Sequence, residues 1–194
     1  GDITTNSIIN NNKKIFANII AKEDGVFAGL EEFKFLNSDL KIIQFKNDGS
    51  IIKKGDKLIE ISGYAKKILS QERIFLNLLQ RMSGIATLTN NLIAKIDNKI
   101  KLSATRKTLW GYIDKKAVSR GGGLTHRLNL NDGVIIKDNH LKVLDYNIKK
   151  ALELAKNKSK CIEIEVENKN QALTAARIIN KIFLVTCGRV RVER

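Results

Sequence analysis

Gly133-Val134-Ile135-Ile136-Lys137-Asp138, followed some twenty residues on by Cys161-Ile162-Glu163-Ile164-Glu165-Val166-Glu167, is the stretch on which the fold turns. Both apolar runs are too short for helices and are bounded by Gly, Asn or Asp, so each reads as a strand. Asp145 to Asn157 lies between them and reads as a helix with polar caps, and Asn168 to Ile182 reads as the next one. Upstream, Lys101 to Lys107 joins the series as an earlier strand. Strand, loop and helix in repetition imply parallel strands covered by helices, an α/β architecture that is either a barrel or a doubly wound sheet. Within Cys161 to Glu167, Ile162, Ile164 and Val166 alternate with Glu163, Glu165 and Glu167. One face then packs while the other sends carboxylates toward the lumen; an exposed edge strand with solvated glutamates is the alternative.

The N-terminal part has a different period. Ile15 to Lys22 alternates, and Lys57 to Ser62 places Ile59 and Ile61 on one face, as a half-buried strand requires. Asn47-Asp48-Gly49 and Lys54-Gly55-Asp56 read as turns between short strands. Asp48 to Gly63 also resembles a half-repeat of lipoyl or biotinyl carrier domains, but no exposed lysine between small residues marks an attachment hairpin. Near Ser70 the pattern changes: Ile74, Leu78, Met82 and Ile85 recur at helical spacing beside Phe75, Leu79 and Ala86. Ser70 with Glu72 suits the start of a long amphipathic helix.

Composition bounds the reading without deciding it. The 194 residues are 43% hydrophobic and 28% charged, enough for a packed core, and the formal charge of +15 predicts attraction to anions. Much of that charge is lysine, accompanied by abundant Asn and Ile and no Pro, a bias that an AT-rich genome produces as readily as a binding surface does. Cys161 and Cys187 lack metal-like spacing or a second pair, which fits a reducing cytosol. No apolar run approaches the roughly 18 residues that span a bilayer, and the first residues lack signal-peptide character. The expected setting is cytoplasmic, with no membrane partner.

Three strand ends carry the chemistry. In parallel barrels, loops at the C-terminal ends of strands converge on the mouth, so functional groups gather there. Here those ends are Thr105-Arg106-Lys107-Thr108, Ile136-Lys137-Asp138 and the glutamate strand. Between the first two lies Ser119-Arg120-Gly121-Gly122-Gly123-Leu124-Thr125-His126-Arg127. Three glycines let a loop approach a ligand closely, although a flexible turn is the blander reading. His126 and Arg127 beside them offer a hydrogen-bond donor and a planar fork suited to a carboxylate.

Taken together, Glu72-Arg73-Ile74-Phe75-Leu76-Asn77-Leu78-Leu79-Gln80, Ser83-Gly84-Ile85-Ala86-Thr87, Thr105-Arg106-Lys107-Thr108, Gly121-Gly122-Gly123-Leu124-Thr125-His126-Arg127-Leu128 and Ile136-Lys137-Asp138-Asn139-His140 closely resemble the quinolinate phosphoribosyltransferase family in order and spacing. The resemblance runs from Gly1 to about Ile182. It implies an α+β N-terminal sandwich with its linking helix over residues 1–80, then an incomplete, TIM-like α/β barrel over 81–194. It also implies transfer of phosphoribose from phosphoribosyl diphosphate to quinolinate with decarboxylation, giving nicotinate mononucleotide, pyrophosphate and carbon dioxide. By the same resemblance, Arg106, His126, Arg127 and Lys137 surround the two quinolinate carboxylates. Lys107 and Lys137 lie near the phosphoribosyl diphosphate, and Glu165 lies near its ribose and Mg²⁺, so Lys107, Lys137 and Glu165 are the expected catalytic groups. Arg73 is expected to reach a neighbouring subunit's site, which implies a homodimer or higher homo-oligomer.

Departures from the family pattern qualify this. Leu109-Trp110-Gly111 stands where Thr-Pro-Gly is usual, with Trp110 expected to pack in the core, and Thr125 replaces a common Asn. After Phe183-Leu184-Val185 the family's Leu-Asp-Asn is replaced by Thr186-Cys187-Gly188, and an Arg-rich tail follows. The sequence therefore reads as truncated at both ends, missing an aspartate and the later phosphate loops, with little turnover expected alone. Two rival readings remain: a basic nucleic-acid-binding module, disfavoured by few aromatics and no nucleic-acid motif, and the phosphoribosyltransferase-like paralogue associated with molybdenum transport genes.

Overall fold

A computed structural model describes residues 2–96, 101–159, 161–179 and 184–185. The chain forms two compact units, Gly1–His126 and Arg127–Arg194.

In the first unit, α1 (Ile3–Ile8) starts at Asp2, whose carboxylate accepts the Thr5 N–H at 3.0 Å. Then come β1 (Lys14–Ile20), β2 (Gly25–Val26), α2 (Leu30–Leu36), β3 (Lys41–Gln44), β4 (Ile51–Ile52), β5 (Lys57–Tyr64), α3 (Ala65–Lys95) and α4 (Tyr112–Arg120). β1, β5 and β3 form an antiparallel sheet in that order, and β2 pairs with β4. The alternation read from the sequence sets the packing: Ile59 and Ile61 are fully buried and meet Phe27, Phe33 and Phe75 in one core. Phe33 and Phe75 contact edge to face, at 5.2 Å between ring centres, which locks α2 onto α3. Both expected turns are present, and Gly49 and Gly55 occupy the left-handed region at φ +86° and +93°.

Two expectations fail here. The long helix begins at Ala65, before Ser70, because β5 runs directly into it and the Ala65 N–H finds the Lys13 carbonyl at 2.8 Å instead of a side-chain cap. Lys101 to Lys107 is not a strand: a single parallel bridge joins Ser103 to Leu124, with Leu124 donating to the Leu102 carbonyl and Ala104 to the Leu124 carbonyl.

In the second unit, β6 (Val134–Ile136), α5 (Asp138–Val143), α6 (Ile148–Lys156), β7 (Ile162–Glu165), α7 (Lys169–Ala176) and β8 (Leu184–Val185) follow one another. The three strands are parallel in the order β6, β7, β8, and Ile136 pairs with Ile164. This is the expected α/β repeat. The region read as one helix from Asp145 contains α6 alone, because Asp145 and Tyr146 both take positive φ and end the preceding turn of α5. α7 stops at Ala176, and residues 180–182 of the expected helix lie outside the described residues. Ile162, Ile164 and Val166 pack with Leu152 and Ala175, and on the other face Glu163 is buried while Glu165 is half-exposed. No described helix is long and apolar enough to cross a membrane.

Candidate functional site

The first unit carries Arg73, Arg106, Lys107 and His126. Arg73 stands on the exposed side of α3. Arg106 and Lys107 are exposed on the loop before α4, where the Lys107 N–H is held by the Thr105 hydroxyl at 3.1 Å. His126 is half-buried, with φ +53°, at the end of the glycine segment. The bridge between Ser103 and Leu124 laces the Arg106 loop to the segment leading into His126.

Two positions of the triple glycine are packed tightly against neighbouring elements. A side-chain carbon at Gly121 would sit 2.3 Å from the Ala86 carbonyl oxygen, and one at Gly123 would sit 2.7 Å from Val118 and 3.0 Å from Thr89. Two of the glycines thus let the end of α4 close onto α3, and Gly122, at φ +93°, turns the chain.

Sequence reasoning missed the residues that hold this loop. Arg81 on α3 donates from Nε and Nη2 to the two oxygens of Asp114 on α4, at 2.8 and 2.7 Å. Asp114 is 6% exposed and also accepts the Thr108 hydroxyl and, at 3.2 Å, the Trp110 N–H. The Arg81 guanidinium beside it, helped by these donors, holds the Asp114 carboxyl down at about 2. Trp110 is not in the core, as expected, but 43% exposed, with the Arg81 guanidinium 4.8 Å from its ring centre. The next residue after Asp114, Lys115, is buried and donates to the Thr125 carbonyl at 2.7 Å. The only hint in the sequence was Asp114 placed in the first turn of a short helix, three residues past Gly111.

The second unit carries Arg127, Lys137 and Glu165. The half-buried Arg127 donates from Nη1 to the Gly133 carbonyl at 3.1 Å, ahead of β6. Lys137 follows β6 and Glu165 ends β7, and because those strands are parallel and adjacent the two side chains lie at the same edge. Their Nζ and Oε1 are 3.8 Å apart. The Lys137 N–H donates to Nδ1 of His140 at 2.9 Å, which fixes the backbone at that strand end. Glu163, by contrast, is buried, and Glu167 is exposed, so Glu165 is the glutamate of the three that stands half-exposed beside a cation.

Among the described residues no three metal-ligating side chains gather. Glu165 offers one carboxylate at most. That suits Mg²⁺ arriving on a polyphosphate, where one or two carboxylates, phosphate oxygens and water complete the shell. The position of the family's missing aspartate, Thr186-Cys187-Gly188, and the tail to Arg194 lie outside the described residues.

Comparison with known proteins gives a consistent result. Residues 2–83 match the family model described as quinolinate phosphoribosyl transferase, N-terminal domain, and residues 85–187 match its C-terminal domain. A protein named probable nicotinate-nucleotide pyrophosphorylase (carboxylating) from Methanothermobacter thermautotrophicus is 38% identical over 194 residues, covering 95% of this chain and 69% of that protein. One of the same name from Bacillus subtilis is 40% identical over 181 residues, covering 88% and 62%. Among solved structures, NadC from Streptococcus pyogenes superposes with a TM-score of 0.84 at 33% identity, covering 94% of this chain and 68% of that one. Nicotinate-nucleotide pyrophosphorylase from Ehrlichia chaffeensis does so with 0.81 at 36%, covering 95% and 70%. The chain thus spans about two thirds of the length of these relatives.

Proposed function

Because this chain belongs to the quinolinate phosphoribosyltransferase family, we propose that it supplies the acid-binding and part of the ribose-binding machinery for the decarboxylating transfer of phosphoribose to quinolinate. The reaction joins the pyridine nitrogen of quinolinate to the ribose C1 of phosphoribosyl diphosphate, and pyrophosphate leaves with the bonding electrons. The nitrogen is then cationic, so the adjacent carbon can accept the electron pair released as carbon dioxide departs. A proton replaces the carboxyl group, and nicotinate mononucleotide results.

Each assigned group does a definable part of this. Arg106 and Arg127 present guanidinium forks to carboxylates, and His126 adds a donor. Lys107 and Lys137 offset the charge of the diphosphate, and Glu165 faces positive charge developing at the ribose carbon. No protein nucleophile is required, since orientation and electrostatic stabilisation supply the rate. Glu165 would help hold a Mg²⁺ ion bound to the diphosphate, and that ion would offset charge on the leaving pyrophosphate. Arg73, exposed on α3, is assigned to a second copy's site in a homodimer or higher homo-oligomer.

The observation that supports this best is the placement of Lys137 and Glu165, 3.8 Å apart at the C-terminal ends of adjacent parallel strands. A cation and a carboxylate side by side at that edge suit a substrate that is an anion at one end and becomes cationic at the other. Titrating the chain with quinolinate by calorimetry tests the reading. Binding is expected, weaker for nicotinate, which lacks the second carboxylate, and weakened about tenfold or more in Arg106→Ala, since a charged hydrogen bond contributes about 1.5–3 kcal/mol. No heat with quinolinate, together with salt-sensitive binding of random-sequence RNA, would sink it in favour of a nucleic-acid module.

A further inference from the structure

The Arg106-Lys107 stretch of the first unit is tied at both ends, and the Ser103–Leu124 bridge holds its start. Arg106 and Lys107 sit on a stretch without regular structure, and neither enters a side-chain ion pair among the described residues. At its far end the tie is a single side chain. Thr108 and Trp110 both bond to one carboxylate, that of Asp114, in the first turn of α4. Asp114 is in turn held by both nitrogens of an arginine on α3, the longest helix of the unit, and the same arginine lies over the Trp110 ring. One position along, Lys115 bonds to the Thr125 carbonyl, next to His126. Successive residues of one helical turn therefore grip two different loops.

We propose that Asp114 and Lys115 form a positioning hub for acid recognition: Asp114, braced by Arg81, sets the Arg106-Lys107 loop, and Lys115 sets His126. This rests on the assignment of Arg106 and His126 to quinolinate, and it adds residues that touch no substrate. The chemistry favours a hub of this kind. A planar fork delivers its two bonds to a carboxylate only when its backbone is fixed, and a displacement of about 1 Å can cost about a hundredfold in function. A buried carboxylate that gathers donors from both α3 and the preceding loop is also hard to replace, because losing it strands each donor. Thr108 contributes a single hydroxyl to this arrangement, so it can be altered without removing the Arg81 pair.

The test uses two intrinsic reporters. Trp110 is the only tryptophan in the chain, and His126 is one of two histidines. In Asp114→Ala, acrylamide quenching of Trp110 fluorescence is expected to rise about twofold and the quinolinate Kd about tenfold, with far-UV circular dichroism unchanged. Thr108→Val should move both readouts the same way, and Thr108→Ser should restore them. In Lys115→Met the imidazole C–H resonance of His126 should shift while that of His140 stays. If Asp114→Ala does not fold, the two Thr108 variants decide the question. Unchanged Trp110 quenching in a folded variant overturns the hub, as does a freed loop that binds quinolinate with native affinity. Should the unaltered chain fail to bind quinolinate, the functional assignment falls, and Trp110 quenching alone then decides whether Asp114 holds the loop.

Discussion

Replacing Gly121 by alanine separates two meanings of the glycine triplet. If the glycines serve ligand approach, Gly121→Ala should spare the fold and harm binding. The structure points the other way. The added carbon would lie 2.3 Å from the Ala86 carbonyl oxygen, 2.8 Å from Cβ of Thr89 and 3.0 Å from the Ala86 carbonyl carbon. Ordinary contact needs roughly 3.4 Å or more, so α3 and the end of α4 would have to part by about an ångström, and the closest obstacle is backbone that no rotamer change relieves. Overpacking of this kind typically costs about 1–3 kcal/mol, and rigid neighbours place it at the upper end. Gly121 itself has φ −82°, which alanine adopts freely, so about 0.4–1 kcal/mol returns through the less flexible unfolded chain. A net loss of about 2 kcal/mol lowers the melting temperature by roughly 4–8 °C for a chain of this size. Gly84 is the control: nothing lies within 4 Å of its added carbon, so Gly84→Ala should stabilise by about 0.5–1 kcal/mol, the helix-propensity difference. Thermal unfolding followed at 222 nm measures both. A Gly121→Ala protein that melts at or above the parent would refute the packing argument.

Asp114 should make stability depend on pH in acid. Its carboxyl lies at about 2 in the fold against an ordinary 3.8, so it stabilises the folded state above pH 4 and that contribution fades as the pH falls toward 2. The shift amounts to about 2 kcal/mol, so Asp114→Asn should be destabilised by about that much at pH 7 and converge with the parent near pH 2 in denaturant titrations. Ile59→Ala removes a side chain with no exposed surface at the centre of the first unit's core and should cost about 2–5 kcal/mol by the same measurement.

How much of this was legible follows from what each residue answers to. Ile59, Ile61, Ile162 and Ile164 answer to a sheet face, and period-two alternation records that face directly. The start of α3 does not, because its first N–H is satisfied by the Lys13 carbonyl, a partner some fifty residues away that no local signal marks. Lys101 to Lys107 looked like a strand by its place in the series, yet it contains one strongly apolar residue, Leu102, and the residue that follows it, Thr108, is drawn to Asp114 instead of a neighbouring strand. The family's motif residues were readable as cations. Arg81 was not singled out, because an arginine on an amphipathic helix reads as solvated, and its acidic partner lies 33 positions further on.

That difference bears on how a chain with a formal charge of +15 can be specific. A surplus of lysine and arginine attracts any polyanion, and selectivity requires most of those charges to be committed elsewhere. Around α4 they are: Arg81 is committed to Asp114, Lys116 to Glu31 and Glu32, and Arg120 to Glu31. These pairs tie α4 to α2 and α3, so the same interactions that neutralise charge also build the support beneath the Arg106-Lys107 loop. Arg106 and Lys107 keep their charge facing outward on that support. On the proposed function, recognition of a small diacid rests less on the amount of positive charge than on which cations the acidic side chains of α2 and α4 leave unneutralised, and that allocation is a property of the fold that no tally of the sequence contains.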